Sequence, residues 1–337
     1  MARNKLKVVI TGGSAGVGRA AAEAFAQHGH DVALIARDPA RLERAANELA
    51  GRYGVRALAL PADVANAEAV DGAAEAALQA FGRLDVWVNV AMATAFAPVA
   101  ALNARDIERG TQVTYLGQVN GMLAALRCMR AAGHSGRGTI VNVGSALSYR
   151  AVPLQSVYCG AKFAIRGFTD ALRSELLHDG VDIHLTMVDL PAINTPQFDW
   201  AMNLTGRRAR PVPPVFQPEV AARAIYFAAT HRRRQVWVGW STAKAILANR
   251  FAPGLLDRYL ARAGYRGQIT GEPLPPDAPS NLYTPVPGDY GAHCRFDDEA
   301  RARSVEMFTD RHRSAAIAAT ICAFGCGVLW VWRRNRR

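Results

Sequence analysis

The chain has 337 residues, half of them hydrophobic, which allows one large α/β domain with an extension or two smaller domains. The formal net charge is +12, but basic residues are dispersed apart from HRRR at 231–234 and the closing RRNRR. No helix-turn-helix or RNA-binding motif occurs, so we expect no nucleic-acid partner. The five cysteines include no CxxC pair and the eight histidines no HExxH sequence, which argues against a disulfide framework and a metal site.

Short apolar runs alternate with helical patterns through the first 190 residues. Parallel strands that are buried on both faces have this appearance, so the alternation predicts a doubly wound parallel sheet of Rossmann type. Such a sheet binds ligands beyond the carboxyl ends of its strands. The predicted strands are Lys7–Thr11, Asp31–Ala36, Ala57–Pro61, Leu84–Asn89, Gly138–Gly144 and Ile183–Asp189. The predicted helices lie near 17–28, 39–52, 66–82, 104–131 and 155–179.

Beyond residue 190 the pattern is looser. Proline and arginine are frequent over 191–218, which predicts a long loop there. A helix, a short strand and further helical sequence are expected after it, over 219–230, 235–239 and 241–264. The resulting domain assignment is a Rossmann-type domain over 1–265, an irregular Pro/Gly-rich segment over 266–295 and a charged helix over 296–313.

The last part of the sequence has the character of a membrane segment. Residues 314–332 form a run of nineteen residues without a charge. As a helix this run extends roughly 28 Å, close to the hydrocarbon thickness of a bilayer. Trp330 and Trp332 precede the basic tail 333–337, as interface anchors do. We predict a transmembrane helix over 314–332, with a buried terminal helix as the alternative.

A glycine-rich sequence, TGGSAGVG, occupies residues 11–18. It lies between the first predicted strand and an alanine-rich helix, which is the setting in which such a loop binds phosphate. The glycines allow a tight turn and close approach of a pyrophosphate, which then faces the helix N-terminus. The alternative is an ordinary glycine-rich turn.

The end of the second predicted strand bears on the choice of nucleotide. NAD-binding sites usually carry an acidic residue there, whereas this chain has Ala36 and Arg37. An arginine can pair with the 2′-phosphate of NADP. Arg37 therefore favours NADP over NAD, although it could equally be a solvated strand end beside Asp38.

Tyr158 and Lys162 lie four residues apart in the helical sequence VYCGAKFAI. This spacing places both side chains on one face of a helix. Taken alone, the pair is compatible with an aromatic ring packed against a lysine stem. Ser145, in IVNVGSALS, precedes the tyrosine by thirteen residues and gives the pair a further context.

Over about residues 6–240 the chain resembles the short-chain dehydrogenase/reductase family. The resemblance rests on the glycine loop, on the Asp63-Val64 pair, on Ser145 at the usual interval before a YxxxK sequence, and on DLPAINT at 189–195. It implies an oxidoreductase that interconverts a carbonyl and a secondary alcohol. The implied cofactor contacts are Thr11, Gly12, Ser14, Gly16, Val17, Gly18, Arg37, Asp63, Val64, Asn89, Tyr158, Lys162, Pro191 and Thr195.

The resemblance also implies roles for the catalytic residues. Tyr158 is the general acid or base, and the Lys162 ammonium is expected to lower the tyrosine's pKa and to bond the nicotinamide ribose. Ser145 is expected to hydrogen-bond the substrate oxygen. Thr114 replaces the asparagine that holds a relay water in the family, so we expect impaired or rerouted proton delivery.

Two further positions depart from the family pattern. The family's NNAG sequence is Asn89-Val90-Ala91-Met92 here, and its proline–glycine step is Pro191-Ala192. We expect an NADP-dependent, homo-oligomeric, single-pass membrane enzyme that acts on a lipophilic substrate, with its catalytic domain in the cytoplasm. The alternatives are a catalytically weak sensor or scaffold that binds the cofactor, and a structural membrane adaptor with an incidental glycine loop.

Overall fold

The computed structural model describes residues 5–131 and 136–304. Its centre is a parallel sheet of seven strands in the order β7-β6-β5-β4-β1-β2-β3, which confirms the predicted Rossmann-type α/β fold. The strand order reverses between β1 and β4, and ligands bind at such a point. The strands are β1 (Lys7–Thr11), β2 (Asp31–Ala36), β3 (Ala57–Pro61), β4 (Val86–Asn89), β5 (Gly138–Ser145), β6 (Ile183–Leu190) and β7 (Gln235–Trp237).

Helices cover both faces of this sheet. The first face is packed by α1, α2 and α7, and the second by α3, α5 and α6, each through a buried apolar cluster. The helices are α1 (Gly16–Gln27), α2 (Pro39–Tyr53), α3 (Ala67–Phe81), α4 (Ala104–Thr111), α5 (Gly117–Arg130), α6 (Ser156–His178), α7 (Pro218–Thr230), α8 (Trp240–Phe251) and α9 (Pro253–Ala263).

Local sequence explains where several helices begin and end. The Asp38 carboxylate accepts a hydrogen bond from the Arg41 amide at 3.0 Å, and Pro39 occupies the first turn of α2. Gly54 ends the helix in the left-handed region, with φ +64°. The single helix predicted over 104–131 is instead two helices joined by a π-helical turn at Gln112–Leu116.

The region after β6 is more structured than the predicted loop. It contains a short helix, Gln197–Trp200, and short strands, two of which pair with later sequence. Arg207–Ala209 pairs with Ile269–Pro273, and Ala192–Ile193 pairs with Val215–Phe216. These pairings come from distant parts of the chain, which is why local composition gave only a loop.

The C-terminal part of the described chain corrects one prediction. Residues 296–304 form turns and a single bridge, so the charged helix predicted over 296–313 is wrong for this part. The remainder of that helix, the predicted membrane helix 314–332 and the tail 333–337 lie outside the described residues. Within 5–131 and 136–304, every helix is too short or too polar to cross a bilayer.

Residues 281–296, which we call the strap, return to the front of the Rossmann domain. Leu282 is fully buried in the cluster beneath α3 and α5. Phe296 is buried with Phe96 and Phe198 in a smaller cluster. Burial of apolar side chains thus fixes the strap near both ends, although its backbone forms no helix or strand.

Candidate active site

A cavity of about 400 Å³ opens at the carboxyl ends of the strands. Its walls include the glycine loop, the end of β2, Ser145 at the end of β5 and the first turns of α6. The structure therefore brings together residues from widely separated parts of the sequence. The predicted site residues that line it are Gly12, Ser14, Gly16, Val17, Gly18, Arg37, Asp63, Val64, Ser145, Tyr158, Lys162, Pro191 and Thr195.

The glycine loop turns too tightly for side chains at two positions. A Cβ on Gly18 would lie 2.2 Å from the Gly12 carbonyl oxygen. Gly12 has φ +73°, and Ala91 backbone atoms lie 3.0 Å from where its Cβ would be. The N-cap residue of α1 is Ala15, which makes no side-chain hydrogen bond to the first turn of the helix. The loop fits the diphosphate of a dinucleotide.

Thr11 shapes this loop from below and does not line the cavity. Its hydroxyl oxygen accepts hydrogen bonds from the amides of Val90 and Ala91, at 3.1 and 3.2 Å. The hydroxyl thereby joins the end of β1 to the turn after β4.

Three arginines crowd the part of the cavity beyond β2. Arg37 and Arg41 line it, and Arg109 forms an ion pair with the Asp63 carboxylate. Burial lowers the pKa of Arg37, and the charges of Arg109 and Arg41 lower it further against the opposing effect of Asp63. An anionic group of a ligand would relieve this repulsion. Val64, buried beside Asp63, supplies an apolar surface to the same wall.

Ser145 and Tyr158 face each other across the cavity floor. The Ser145 hydroxyl accepts a hydrogen bond from the Leu147 amide at 3.1 Å, which orients it. It is also within hydrogen-bonding reach of the Tyr158 hydroxyl. Burial raises the pKa of Tyr158 well above its usual value, the bond with Ser145 opposes this rise, and Asp189 adds to it. Tyr158 is therefore held as the neutral phenol.

Lys162 lies beneath the tyrosine, with its ammonium 5.5 Å from the ring centre. It donates a hydrogen bond to the Val143 carbonyl at 2.6 Å. Burial lowers the pKa of Lys162 to about 7, although the nearby Asp189 carboxylate favours the charged form. The predicted lowering of the tyrosine pKa by this lysine is not seen, because desolvation acts on both groups and reduces the charge that Lys162 carries.

Asp189, at the end of β6, is a member of this group that sequence reasoning did not select. Its side chain is fully buried, and burial raises its pKa to about 7. Tyr149 and Gln235 donate hydrogen bonds to one of its oxygens. An acid at the end of a buried apolar strand is the signal that could have identified it.

Two predicted site residues lie below the cavity. Thr114 is fully buried, and its hydroxyl donates to the Ala93 carbonyl at 2.7 Å and accepts from the Ala93 amide at 3.0 Å. The prediction that it supports proton delivery finds no support in this geometry. Asn89 is also fully buried, donating to Asn142 at 2.9 Å and accepting from Trp87 at 2.8 Å. Thr114 thus braces the loop after β4, whereas Asn89 links β4 to β5.

The segment after β6 closes the cavity from the opposite side. Pro191 and Thr195 line it, and the Thr195 Cβ lies 3.4 Å from the position that a Cβ on Gly16 would take. This contact joins DLPAINT to the glycine loop. The predicted placement of both residues at the cofactor is thus compatible with the fold.

The remaining wall belongs to neither the glycine loop nor the catalytic helix. It is mostly apolar, with Gln155 as a polar member whose amide donates to Gln268 at 2.7 Å. Sequence reasoning missed this wall because its residues come from three separate segments. Its apolar members are Leu147, Val152, Val212, Pro213, Pro214 and Ala245.

A glycine loop at a helix N-terminus and a Ser-Tyr-Lys group in one cavity define an α/β nucleotide-binding oxidoreductase. The family model described as short chain dehydrogenase matches residues 6–201. The chain belongs to the short-chain dehydrogenase family, and it is an oxidoreductase of the class that acts on alcohols and carbonyl compounds.

Relatives and solved structures agree with this assignment. The chain is 32% identical over 318 residues to the uncharacterized oxidoreductase YxnA of Bacillus subtilis, covering 94% of this chain and 87% of the relative. An alcohol dehydrogenase from the archaeon Thermococcus sibiricus, complexed with 5-hydroxy-NADP, is 26% identical with a TM-score of 0.59, over 69% of this chain and 96% of that one. L-Sorbose reductase from Gluconobacter frateurii, complexed with NADPH and L-sorbose, is 26% identical with a TM-score of 0.61. The match covers 69% of this chain and 95% of the reductase.

Proposed function

We propose that this enzyme uses NADPH to reduce a lipophilic ketone to a secondary alcohol, with Tyr158 as the proton donor. The observation that carries the proposal is the single cavity shared by the glycine loop, Arg37 and the Ser145–Tyr158–Lys162 group. The nicotinamide, when bound, supplies the hydride. The residues of this chain supply binding, orientation and the proton.

The amides of the glycine loop would hold the diphosphate, and Arg37 with Arg41 would hold the 2′-phosphate. Asp63 and Val64 would flank the adenine, and Pro191 and Thr195 the nicotinamide. Support for NADP comes from the cluster of positive charge around Arg37, and from the NADP-type ligands of the two similar solved structures. An acidic residue for a ribose hydroxyl is lacking at the end of β2.

Proton transfer follows from the environment of Tyr158. Its raised pKa keeps the phenol protonated, which suits donation to an oxygen that gains negative charge. The Ser145 hydroxyl, oriented by the Leu147 amide, can hydrogen-bond the same oxygen. Burial lowers the pKa of Lys162 and raises that of Asp189, each to about 7, so both groups can exchange protons near neutral pH.

The apolar wall around Val152 and Val212 supports a lipophilic substrate. Fully burying an apolar side chain or an equivalent ligand group contributes about 1.5–3 kcal/mol. We also propose a homo-oligomer, because Leu116, Leu123 and Phe163 on the outer surfaces of the 112–130 and α6 regions are each more than two-fifths exposed. The NADPH and substrate proposals do not depend on the oligomeric state.

The test is the Tyr158→Phe variant, measured by single-turnover reduction of a panel of aliphatic and alicyclic ketones. We expect the rate to fall about 10²–10⁴-fold while NADPH binding is retained, because only the acid is removed. Ser174→Ala, an exposed substitution on the same helix, is the matched control. It should leave both the rate of reduction and NADPH binding unchanged. Binding of NADPH without turnover in the wild type would favour the sensor or scaffold function instead.

A further inference from the structure

The strap crosses the front of the cavity and contacts the residues proposed to hold the cofactor. Arg37 donates hydrogen bonds to the carbonyls of Asn281 and Tyr283, at 2.5 and 3.2 Å. Arg109 donates to the Leu282 carbonyl at 3.1 Å. These bonds join the residue that follows β2, and a residue of α4, to a segment at least 170 positions later in the sequence.

The second half of the strap repeats this pattern. Arg41 donates to the carbonyls of Val286 and Gly288, the latter at 2.7 Å. Its guanidinium lies 5.0 Å from the Trp200 ring and 5.3 Å from the Tyr290 ring. The two rings also contact each other, at 4.6 Å between centres. Arg41 is thus enclosed by strap carbonyls and by two aromatic rings.

The strap also reaches the glycine loop. The Gly16 amide donates to the Gly291 carbonyl at 2.9 Å. Asn281, Pro285 and Val286 line the same cavity as the loop and Tyr158, so the strap is a wall and not a plug. Because the family model ends at residue 201, the strap lies beyond the part of the chain that the model matches.

We propose that the strap is part of the cofactor site and encloses the adenosine half of a bound dinucleotide, so that the cofactor enters and leaves only when the strap lifts. The inference rests on the proposed NADPH binding. Leu282 and the Phe296 cluster hold the two ends. The contacts between them are mostly polar, and they include the bond from the Tyr283 hydroxyl to the Asp106 carboxylate at 2.6 Å and the ion pair of Arg295 with Asp199. Such contacts can break without unfolding the core. A 2′-phosphate would share the Arg37 and Arg41 guanidinium groups with the strap carbonyls, since each guanidinium has five N–H donors.

The test measures NADPH association and dissociation by stopped-flow fluorescence on the full chain, with excess NADP⁺ as the trap. Tyr290→Ala removes the ring that encloses Arg41, and Tyr290→Phe keeps the ring and is the matched control. We expect Tyr290→Ala to accelerate both association and dissociation about tenfold, because a loosened lid opens more often in both directions. Tyr290→Phe should retain wild-type rates.

Other outcomes separate the two proposals. Faster dissociation of NADPH with unchanged association would mean that Tyr290 only adds affinity. This result would overturn the proposal that the strap acts as a lid. Wild-type rates in Tyr290→Ala, and in Leu282→Ala with a native circular dichroism spectrum, would also overturn it. Failure of the wild-type chain to bind NADPH by calorimetry would instead contradict the proposed function.

A second, independent observation concerns α8 and α9, whose outer faces are apolar and basic. Trp240, Leu247 and Phe251 follow helical spacing along α8 and are exposed, Phe251 to 80%. Leu255 and Tyr259 continue the surface on α9, and both are more than three-fifths exposed. We call these five residues the α8–α9 patch.

The charge around this patch is strongly one-sided. Residues 239–268 contain a single acid, Asp257, and its carboxylate is paired with Arg150. The exposed basic residues there are Lys244, Arg250, Arg258, Arg262 and Arg266. An apolar face with a basic rim complements the surface of an anionic bilayer, where aromatic and leucine side chains enter the headgroup region.

We infer that the α8–α9 patch rests on an anionic lipid surface. The opposite face of α8 lines the cavity through Ser241, Thr242 and Ala245. One helix therefore contacts lipid on its outer face and the cavity on its inner face. Such docking brings the cavity next to the phase in which a lipophilic substrate dissolves.

The test uses an environment-sensitive thiol label at Phe251→Cys in the full chain with Cys322→Ser and Cys326→Ser. Vesicles contain phosphatidylcholine alone or phosphatidylcholine with phosphatidylglycerol. We expect a blue shift with the anionic vesicles, abolished by Arg258→Glu with Arg262→Glu. A label at Glu68→Cys on α3 is the control and should not respond.

Two results would overturn the inference. No blue shift at position 251 with anionic vesicles would exclude lipid contact at the patch, whatever the rest of the chain does. A blue shift that appears without vesicles and grows with protein concentration would identify a second copy of the chain as the occupant.

Discussion

The two halves of the cavity are built in different ways. On the Tyr158 side, one helix and the ends of two neighbouring strands place every reacting group, and Lys162 bonds the Val143 carbonyl directly. On the Arg37 side, guanidinium groups are held by carbonyls from a segment 244 residues further along the chain. The reacting groups are thus positioned by regular secondary structure, whereas the enclosure depends on a distant irregular segment.

This difference indicates which part of the site tolerates change. A helix and a parallel sheet fix the distances between side chains through their repeating geometry. The strap is held by hydrogen bonds, ion pairs and two apolar ends, and none of these belongs to the sheet, so it can move while the sheet remains intact. Substitutions on the first side should therefore affect chemistry, and substitutions on the second should affect binding and exchange.

The largest effect is expected from Gly18→Ala in the glycine loop, which both halves share. The new Cβ would overlap the Gly12 carbonyl at 2.2 Å, so the loop must rearrange and the diphosphate site is lost. We expect NADPH affinity to fall more than about 100-fold, equivalent to about 2.7 kcal/mol, by isothermal titration calorimetry.

Gly72→Ala is the control for that experiment. Gly72 lies within α3 with open space around it, and alanine favours helix by about 1 kcal/mol. This variant should bind NADPH normally and melt slightly higher. Normal binding by Gly18→Ala would contradict the placement of the diphosphate at this loop.

The variant Arg37→Ala tests the Arg37 side of the cavity alone. We expect NADPH affinity to fall about 10–100-fold, because a charge-assisted pair with the 2′-phosphate contributes about 1.5–3 kcal/mol. NADH affinity should change little, since NADH lacks this phosphate. Arg56→Ala, a partly exposed arginine paired with Asp31 away from the cavity, is the control. Equal losses for NADPH and NADH would show that Arg37 acts only through the strap.

The pH dependence of kcat/KM tests the Tyr158 side of the cavity. Because the pKa of Tyr158 is raised, the phenol stays protonated through neutrality. Titration of Tyr158 should therefore cause no change in kcat/KM for reduction between pH 7.5 and 9. Alcohol oxidation needs the phenolate, so its kcat/KM should rise about tenfold per pH unit over this range. A plateau of the oxidation rate near pH 7 would mean that Lys162 lowers the tyrosine pKa after all.

The variant Asp189→Asn tests the raised pKa of Asp189 through the pH dependence of folding stability. The folded-state pKa of Asp189 is raised to about 7, so the folded protein binds this proton more tightly than the unfolded chain does. Its contribution to stability is therefore greatest at low pH and declines as the pH rises towards 7. We expect the melting temperature of the variant, relative to wild type, to increase between pH 5 and pH 8. A pH-independent difference would contradict the raised pKa.

The smallest effect on turnover is expected from Thr114→Val. Loss of the two bonds with the Ala93 peptide should cost about 1–3 kcal/mol of folding stability, measured by urea unfolding. Turnover of the folded enzyme should fall less than about tenfold, since no proton-relay role is assigned to this hydroxyl. Thr111→Val, whose hydroxyl bonds only the Ile107 carbonyl on the same helix, is the control. A loss of turnover as large as that of Tyr158→Phe would restore Thr114 to the relay.

Prediction from sequence was accurate where short-range patterns carry the information. The six predicted strands agree with the observed strands to within two residues at each end. The glycine loop, Ser145, Tyr158 and Lys162 line one cavity. The side chains of Thr114 and Asn89 bond neighbouring groups and do not line the cavity. Their predicted roles stay predictions, because motif position does not reveal which way a side chain points. The π-helical turn at Gln112–Leu116 is one such local departure from regular helix.

Local sequence patterns were enough to predict the parallel sheet, the glycine loop and the helix that carries Tyr158 and Lys162, because each depends on a local period or on glycine's freedom from a Cβ. The pKa values of Tyr158, Lys162 and Asp189 depend on the folded chain, because desolvation is set by everything packed around a group. The tertiary structure also sets the partners of Arg37 and Arg41. Their bonds join residues more than 240 positions apart, and no local pattern encodes such a contact.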